Sequence, residues 1–286
     1  MRVDAPRRGG DARGMLRALA LIALLGVASL GRAAEPTIPY GRNPEVGRHA
    51  AVEGIRLYYE IYGTGAPLVV LHGNGGSMEA MRFQTDFFRA RRQVIAVDSR
   101  GHGRSELGAG DLTYEQMADD VAALLRHLQV GPADVLGWSD GGIVALWLAR
   151  RHPATVRRLV VSGANLSPAD LKPADLAGMR AELRDVEAKL AAGDTAQPWA
   201  VRRQHLRLMI EQRPITAADL AAIAVPVLVL AGEHDMIPEP HTRAIAQGLP
   251  RGRLHLFPGA GHGALLEIPE TFNAIVDAFL RAPDPT

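Results

Sequence analysis

The stretch Gly137-Trp138-Ser139-Asp140-Gly141 constrains the fold of this chain more than any other. Before it, Ala133 to Leu136 is a short apolar run of the kind that forms a strand. After it, Ile143 to Ala149 is apolar almost all round, as a buried helix would be. A serine flanked by glycines at such a junction sits on a strand-to-helix turn too tight for larger neighbours, with its hydroxyl presented at the helix N-terminus. There the positive end of the helix dipole and free N–H groups favour a developing oxyanion. With 30 glycines in 286 residues the pentapeptide also arises by chance, so the rest of the chain has to support it.

A serine hydroxyl is a poor nucleophile at neutral pH. It needs a histidine base, and the histidine needs a carboxylate to fix its tautomer and stabilise the imidazolium. Downstream, Val227 to Ala231 is a β-rich run that ends in Gly232-Glu233-His234-Asp235. Leu254 to Phe257 is another, followed by Pro258-Gly259-Ala260-Gly261-His262-Gly263. Both candidate partners lie in loops just after strands, where open α/β sheets gather functional groups. Asp235 stands 96 residues after Ser139, and His262 stands 27 after Asp235. The first interval has room for an inserted cap, the second for one helix and one strand. Glu233 competes with Asp235 in the same loop.

The remaining chain alternates as a wound sheet should. Arg56 to Tyr62, Leu68 to Leu71 and Gln93 to Val97 read as strands, with a helix around Met78 to Arg89. Thr113 opens a helix with Met117, Val121, Leu124, Leu125 and Leu128 on one face. Strands separated by helices imply right-handed parallel crossovers and a mostly parallel, doubly wound sheet, with an antiparallel start between Arg48 and Tyr62. Residues 168–222 break the alternation. They are helical in composition and punctuated by Pro173, Pro198 and Pro214, which predicts a small helical cap inserted after strand six.

Five segments in a fixed order carry a family resemblance. They are Leu71-His72-Gly73-Asn74-Gly75-Gly76, Asp98-Ser99-Arg100-Gly101-His102-Gly103-Arg104-Ser105, the serine pentapeptide, and the Asp235 and His262 loops. Together they resemble the α/β-hydrolase superfamily from about Ala50 to Leu280. That implies an α/β-hydrolase domain over residues 50–282, with an N-terminal extension at 34–49. Gly137 to Gly142 with Ser162-Gly163-Ala164-Asn165 is further similar to the biphenyl-hydrolase-like, valacyclovirase-type esterases. The resemblance implies Ser139 as nucleophile, His262 as base, Asp235 as its orienting acid, and the backbone N–H groups of Asn74 and Asp140 as the oxyanion hole. It implies cleavage of a small-molecule carboxylic ester through an acyl-enzyme, with lactone, thioester and amide as alternatives, and no cofactor. A cofactor-free perhydrolase or haloperoxidase-like enzyme uses the same residues, and a non-catalytic ligand-binding protein keeps the same fold. Serine rather than aspartate at the turn argues against the dehalogenase and epoxide hydrolase branches.

Further residues have two readings each. His72 is expected to order the loop after strand three, and His102 and Arg104 to hold a turn. Trp138, Met179, Trp199, Leu206 and Met209 are candidates to line an acyl or alcohol pocket, or are plain packing. The Asp140 carboxylate either turns to a local donor at its helix start or, as the valacyclovirase-type resemblance implies, pairs with a cationic substrate group such as an α-ammonium.

The N-terminus is a different material. Arg2, Arg7, Arg8, Arg13 and Arg17 precede Ala18 to Gly31, 14 apolar or small residues, and Gly31 and Ala33 offer small residues at −3 and −1 of a cleavage site. Residues 1–33 are expected to be a secretory signal peptide of an exported, periplasmic or secreted protein, with Met15 as an alternative start and an uncleaved anchor as the other reading. Without their six Arg and two Asp the net charge falls from +1 to −3, which gives no reason to expect nucleic acid or, after cleavage, stable membrane association. Zero cysteines exclude disulfides, thiolate catalysis and Cys-ligated zinc, and no histidine pair has metal-ligand spacing.

Overall fold

A computed structural model describes residues 35–283; the signal-peptide reading of residues 1–33 and the Met15 start lie outside the described residues. Eight strands form one sheet: β1 (Gly47–Val52), β2 (Ile55–Tyr62), β3 (Pro67–Leu71), β4 (Gln93–Val97), β5 (Ala133–Trp138), β6 (Val156–Ser162), β7 (Val227–Gly232) and β8 (Gly252–Phe257). Their spatial order is β1-β2-β4-β3-β5-β6-β7-β8. β1 and β2 pair antiparallel, β2 meets β4 antiparallel, and every later pairing is parallel.

The strands are apolar on both faces because helices cover both. In β3, Val69 and Leu71 join one core with α2 (Tyr114–His127), α3 (Asp140–Arg151) and α7 (Glu239–Gly248). Leu68 and Val70 join the other with α1 (Arg82–Phe88), α8 (Ala264–Glu267) and α9 (Pro269–Arg281). α2 begins where Thr113 accepts a hydrogen bond from the Gln116 N–H, and it buries Met117, Val121, Leu124 and Leu125. The helix expected over Met78 to Arg89 is instead a 3-10 turn, Met78–Met81, followed by α1. The break has a local cause, since the Met78 N–H is drawn to the Asp98 carboxylate and Ser77 caps the turn.

The sheet starts at Gly47, inside the stretch read as an N-terminal extension. Glu60, fully buried, accepts from the Gly41 and Asn43 N–H groups and from the Tyr58 and Tyr62 hydroxyls, so the segment before β1 is fastened to β2. Between β6 and β7 stand α4 (Pro173–Ala191), α5 (Trp199–Glu211) and α6 (Ala217–Ala221), at the place expected for the cap. α4 buries Val186 alone and lies outermost, while α5 buries Gln204, His205, Leu206 and Leu208. Among the described residues no helix is long and apolar enough to cross a membrane.

Candidate active site

β3 is flanked by β4 on one side and β5 on the other, so the chain reverses its winding there. Open α/β sheets leave a crevice at the carboxyl ends of the strands beside such a switch. Leu71 pairs with Gly137 across that boundary, which sets the loop after β3 against the turn after β5.

Ser139 occupies φ 55°, ψ −122°, a region non-glycine residues rarely adopt, at an expense of order 1–3 kcal/mol. Its surroundings hold it there. The Ser139 N–H donates to the Ser162 carbonyl at 2.8 Å, and the Gly142 N–H donates to the Ser139 carbonyl at 2.8 Å. A Cβ on Gly137 would overlap the Gly141 carbonyl, and a Cβ on Gly141 would overlap the Leu71 carbonyl, so neither position admits a side chain. Glycine at these two sites is what lets α3 start directly on the sheet.

The loops after β7 and β8 bring the other two groups. His262 Nε2 lies 3.0 Å from Ser139 Oγ, and His262 Nδ1 lies 2.7 Å from Asp235 Oδ1. A carboxylate can only accept, so Nδ1 carries the proton and Nε2 presents its lone pair to the serine hydroxyl. Asp235 Oδ1 also accepts from the Ile237 N–H at 3.0 Å. Glu233 points elsewhere: its Oε2 accepts from the Gly259 N–H at 2.8 Å. Of the two carboxylates in that loop, Asp235 is the one on His262.

The loop after β3 is ordered by His72. The Ser99 N–H donates to His72 Nε2, so Nδ1 holds the proton and donates to the Gly73 carbonyl. Burial lowers the His72 pKa to about 4 and that of His102 to about 2, which keeps both neutral. His102 stacks on His205 of α5 with ring centroids 4.0 Å apart. Arg104 donates its N–H to Asp98 Oδ2 at 2.8 Å, holding the turn expected of that segment.

The backbone N–H groups of Asn74 and Asp140 have no acceptor among the described residues. The Asp140 side chain is 5% exposed and accepts from Asn74 Nδ2 at 2.8 Å, so its carboxylate is turned to a local donor. Burial raises its pKa, opposed by the Asn74 bond, Tyr114 and the nearby His262. Trp138 is half-buried and donates Nε1–H to the His262 carbonyl at 2.9 Å. Met179 and Trp199 stand half-buried in the cap, Trp199 with the Lys189 ammonium 4.2 Å from its ring. Leu206 is wholly buried packing.

Gly163, just after β6, was not singled out by its own chemistry. A Cβ there would sit 2.8 Å from His262 Cε1 and 3.3 Å from Asp235 Oδ2, so it forms the wall behind the His–Asp pair. The signal available in sequence was only a glycine directly after a strand. A cavity of about 440 Å³ lies between the start of α2 and α5, lined by Leu112, Tyr114 and Gln204 among others, and none of Ser139, Asp235 and His262 lines it. Among the described residues no group of three or more His, Asp or Glu could hold a metal ion.

Known proteins share this arrangement of chain. The alpha/beta hydrolase family profile matches residues 68–275. The chain is 29% identical to the serine hydrolase BPHL of Mus musculus over 266 residues, covering 87% of this chain and 90% of the relative. It is 31% identical to a 2-hydroxymuconate semialdehyde hydrolase of Pseudomonas sp. strain CF600 over 274 residues, covering 85% and 96%. A thermophilic esterase from Thermogutta terrifontis superposes with a TM-score of 0.68 at 26% identity, covering 82% of this chain and 98% of that one. The chain therefore belongs to the alpha/beta hydrolase family and is an enzyme with the hydrolytic chemistry of that family.

Proposed function

We propose that the protein is a serine esterase that cleaves small-molecule carboxylic esters through an acyl-enzyme. The observation that carries this reading is the continuous relay from Ser139 Oγ to His262 Nε2 and from His262 Nδ1 to Asp235 Oδ1, at 3.0 and 2.7 Å. Ser139 Oγ attacks the ester carbonyl carbon while its proton passes to His262 Nε2. The carbonyl oxygen takes up the negative charge and is held by the Asn74 and Asp140 N–H groups, at the dipole-positive start of α3. As the intermediate collapses, the proton on Nε2 goes to the departing alkoxide oxygen and the acyl group stays on Ser139. Water then attacks the acyl carbon with His262 again as base, and the acid leaves. Asp235 holds the imidazole in the useful tautomer and stabilises the imidazolium.

The names of the relatives support hydrolysis of small molecules, one of them as an esterase. The Asp140 carboxylate is buried and already bonded, so this reading assigns it no ammonium-binding role. The test is a panel of p-nitrophenyl esters of increasing acyl length, with matched p-nitroanilides and α-amino esters. Ester turnover at least 100-fold above the anilides is expected, with kcat/KM for amino and plain esters within a few-fold. No ester turnover would overturn the esterase reading. A tenfold preference for the aminated ester, about 1.4 kcal/mol, would return Asp140 to the substrate.

A further inference from the structure

Asn74 enters this site twice. Its backbone N–H is one of the two oxyanion donors proposed above; its carboxamide is a separate device. Nδ2 carries two hydrogens and both have acceptors, Asp140 Oδ2 at 2.8 Å and the His205 carbonyl of α5 at 3.1 Å. The first bond joins the two residues that offer the oxyanion N–H groups, although they lie 66 positions apart, one after β3 and one opening α3. The second ties that pair to the cap. Around it α5 is docked on the core by His205 Nε2 against the Gly101 carbonyl at 2.8 Å and by Gln204 Oε1 accepting from the Leu112 N–H at 3.1 Å.

The Asp140 carboxylate has few other places to go. The buried Tyr114 hydroxyl lies against it without a hydrogen bond of normal geometry. A buried anion beside a developing oxyanion opposes it unless a donor draws the charge away. The Asn74 carboxamide is that donor, at 2.8 Å from Asp140 Oδ2, and its other hydrogen is held by the His205 carbonyl of α5.

We propose that Asn74 is a positioning residue whose carboxamide clamps Asp140 to the His205 carbonyl, fixing the two oxyanion N–H groups relative to each other and making their alignment depend on a seated cap. The proposal rests on the serine-esterase reading. Loss of a whole oxyanion donor costs about 10²–10³ in kcat. Misalignment through a lost clamp is expected to take tenfold or more, and to leave KM within about twofold because the donors act on the transition state.

Asn74→Asp keeps the backbone N–H and the shape of the side chain but removes both donors. It leaves two carboxyls in contact, which share one proton at low pH and repel when both ionise. The groups facing the pair are Tyr114 of α2, His262 of the loop after β8, and His205 of α5 with Arg202 one turn before it. All are common to wild type and variant, so the ratio of their kcat values isolates the new carboxyl. That ratio should fall as pH rises from 5.5 to 8.5. The double variant Asn74→Asp/Asp140→Asn transposes donor and acceptor in the 74–140 bond but leaves the His205 carbonyl without its donor, so it should lose the falling ratio and regain only part of the kcat lost in Asn74→Asp.

A pH-independent Asn74→Asp with wild-type kcat, or a double variant whose kcat ratio to wild type still falls with pH, overturns the clamp. Should Asn74→Asp fail to fold, Asn74→Ala takes its place, with kcat expected down at least tenfold and a value within twofold of wild type overturning the proposal. Wild-type protein that hydrolyses no ester would instead sink the esterase reading, which keeps the two failures apart.

Discussion

Substituting Gly163 by alanine should cripple the site without replacing any group that does chemistry. The residue sits at φ +63°, where an L side chain adds about 1–2 kcal/mol of backbone strain. The new Cβ would stand 2.8 Å from His262 Cε1 and 2.9 Å from Nδ1, against a normal carbon contact of roughly 3.5–4.0 Å. The ring must therefore retreat by roughly 0.7 Å or more. It has nowhere to go without loss, because it is held between Ser139 at 3.0 Å and Asp235 at 2.7 Å. Its own loop is pinned by Trp138 Nε1–H on the His262 carbonyl. A misplacement on the order of 1 Å costs about 10²-fold in rate. Hydrolysis of p-nitrophenyl acetate should thus show kcat down about 100-fold, with the labelling rate by a fluorophosphonate falling in step. The strain should lower Tm by roughly 2–8 °C. A variant with kcat within threefold of wild type would refute the contact argument.

Two further substitutions separate roles that the loops keep apart. Asp235→Asn should lower kcat by about 10⁴, because a neutral amide favours the wrong imidazole tautomer. Glu233→Gln should leave kcat within a few-fold, since Glu233 only holds the Gly259 N–H; the reverse pattern would overturn the acid assignment. His102 is neutral in the fold, its pKa lowered by burial to about 2 against about 6.5 unfolded. The unfolded chain therefore takes up the proton first, and this group's contribution to stability is lost as pH falls below about 6.5. At pH 5 that loss is about 2 kcal/mol, so between pH 7 and 5 the denaturation midpoint of His102→Gln should fall less than that of wild type. Equal falls would show that His102 is protonated in the fold.

The sheet, the cap and the three groups of the relay were legible because each leaves a local mark. Ser139 has glycines on both sides, which steric overlap with Gly141 and Leu71 demands. Asp235 and His262 each follow a strand that periodicity marks. The choice between Asp235 and Glu233 was not local. It depends on the Ile237 N–H and the Gly259 N–H each claiming one carboxylate, which only the folded loop decides. The direction of the Asp140 side chain likewise depends on Asn74 and on a helix carbonyl 131 residues beyond it. No periodic pattern joins such partners. Gly163 was visible as a glycine, but what stands opposite it came from two loops more than 70 residues away. Trp138, for which pocket lining and plain packing were both open, is a peg for the His262 loop through its indole N–H.

That Ser139 is the nucleophile is tested most directly by intact-mass analysis and peptide mapping after stoichiometric fluorophosphonate treatment, in wild type and Ser139→Ala, with ester turnover followed in parallel. One phosphonyl group on Ser139, loss of turnover in proportion to labelling, and an unlabelled Ser139→Ala with kcat reduced by several powers of ten are the expected results. Ester hydrolysis by Ser139→Ala within tenfold of wild type, or a label on another residue that abolishes turnover, would contradict it.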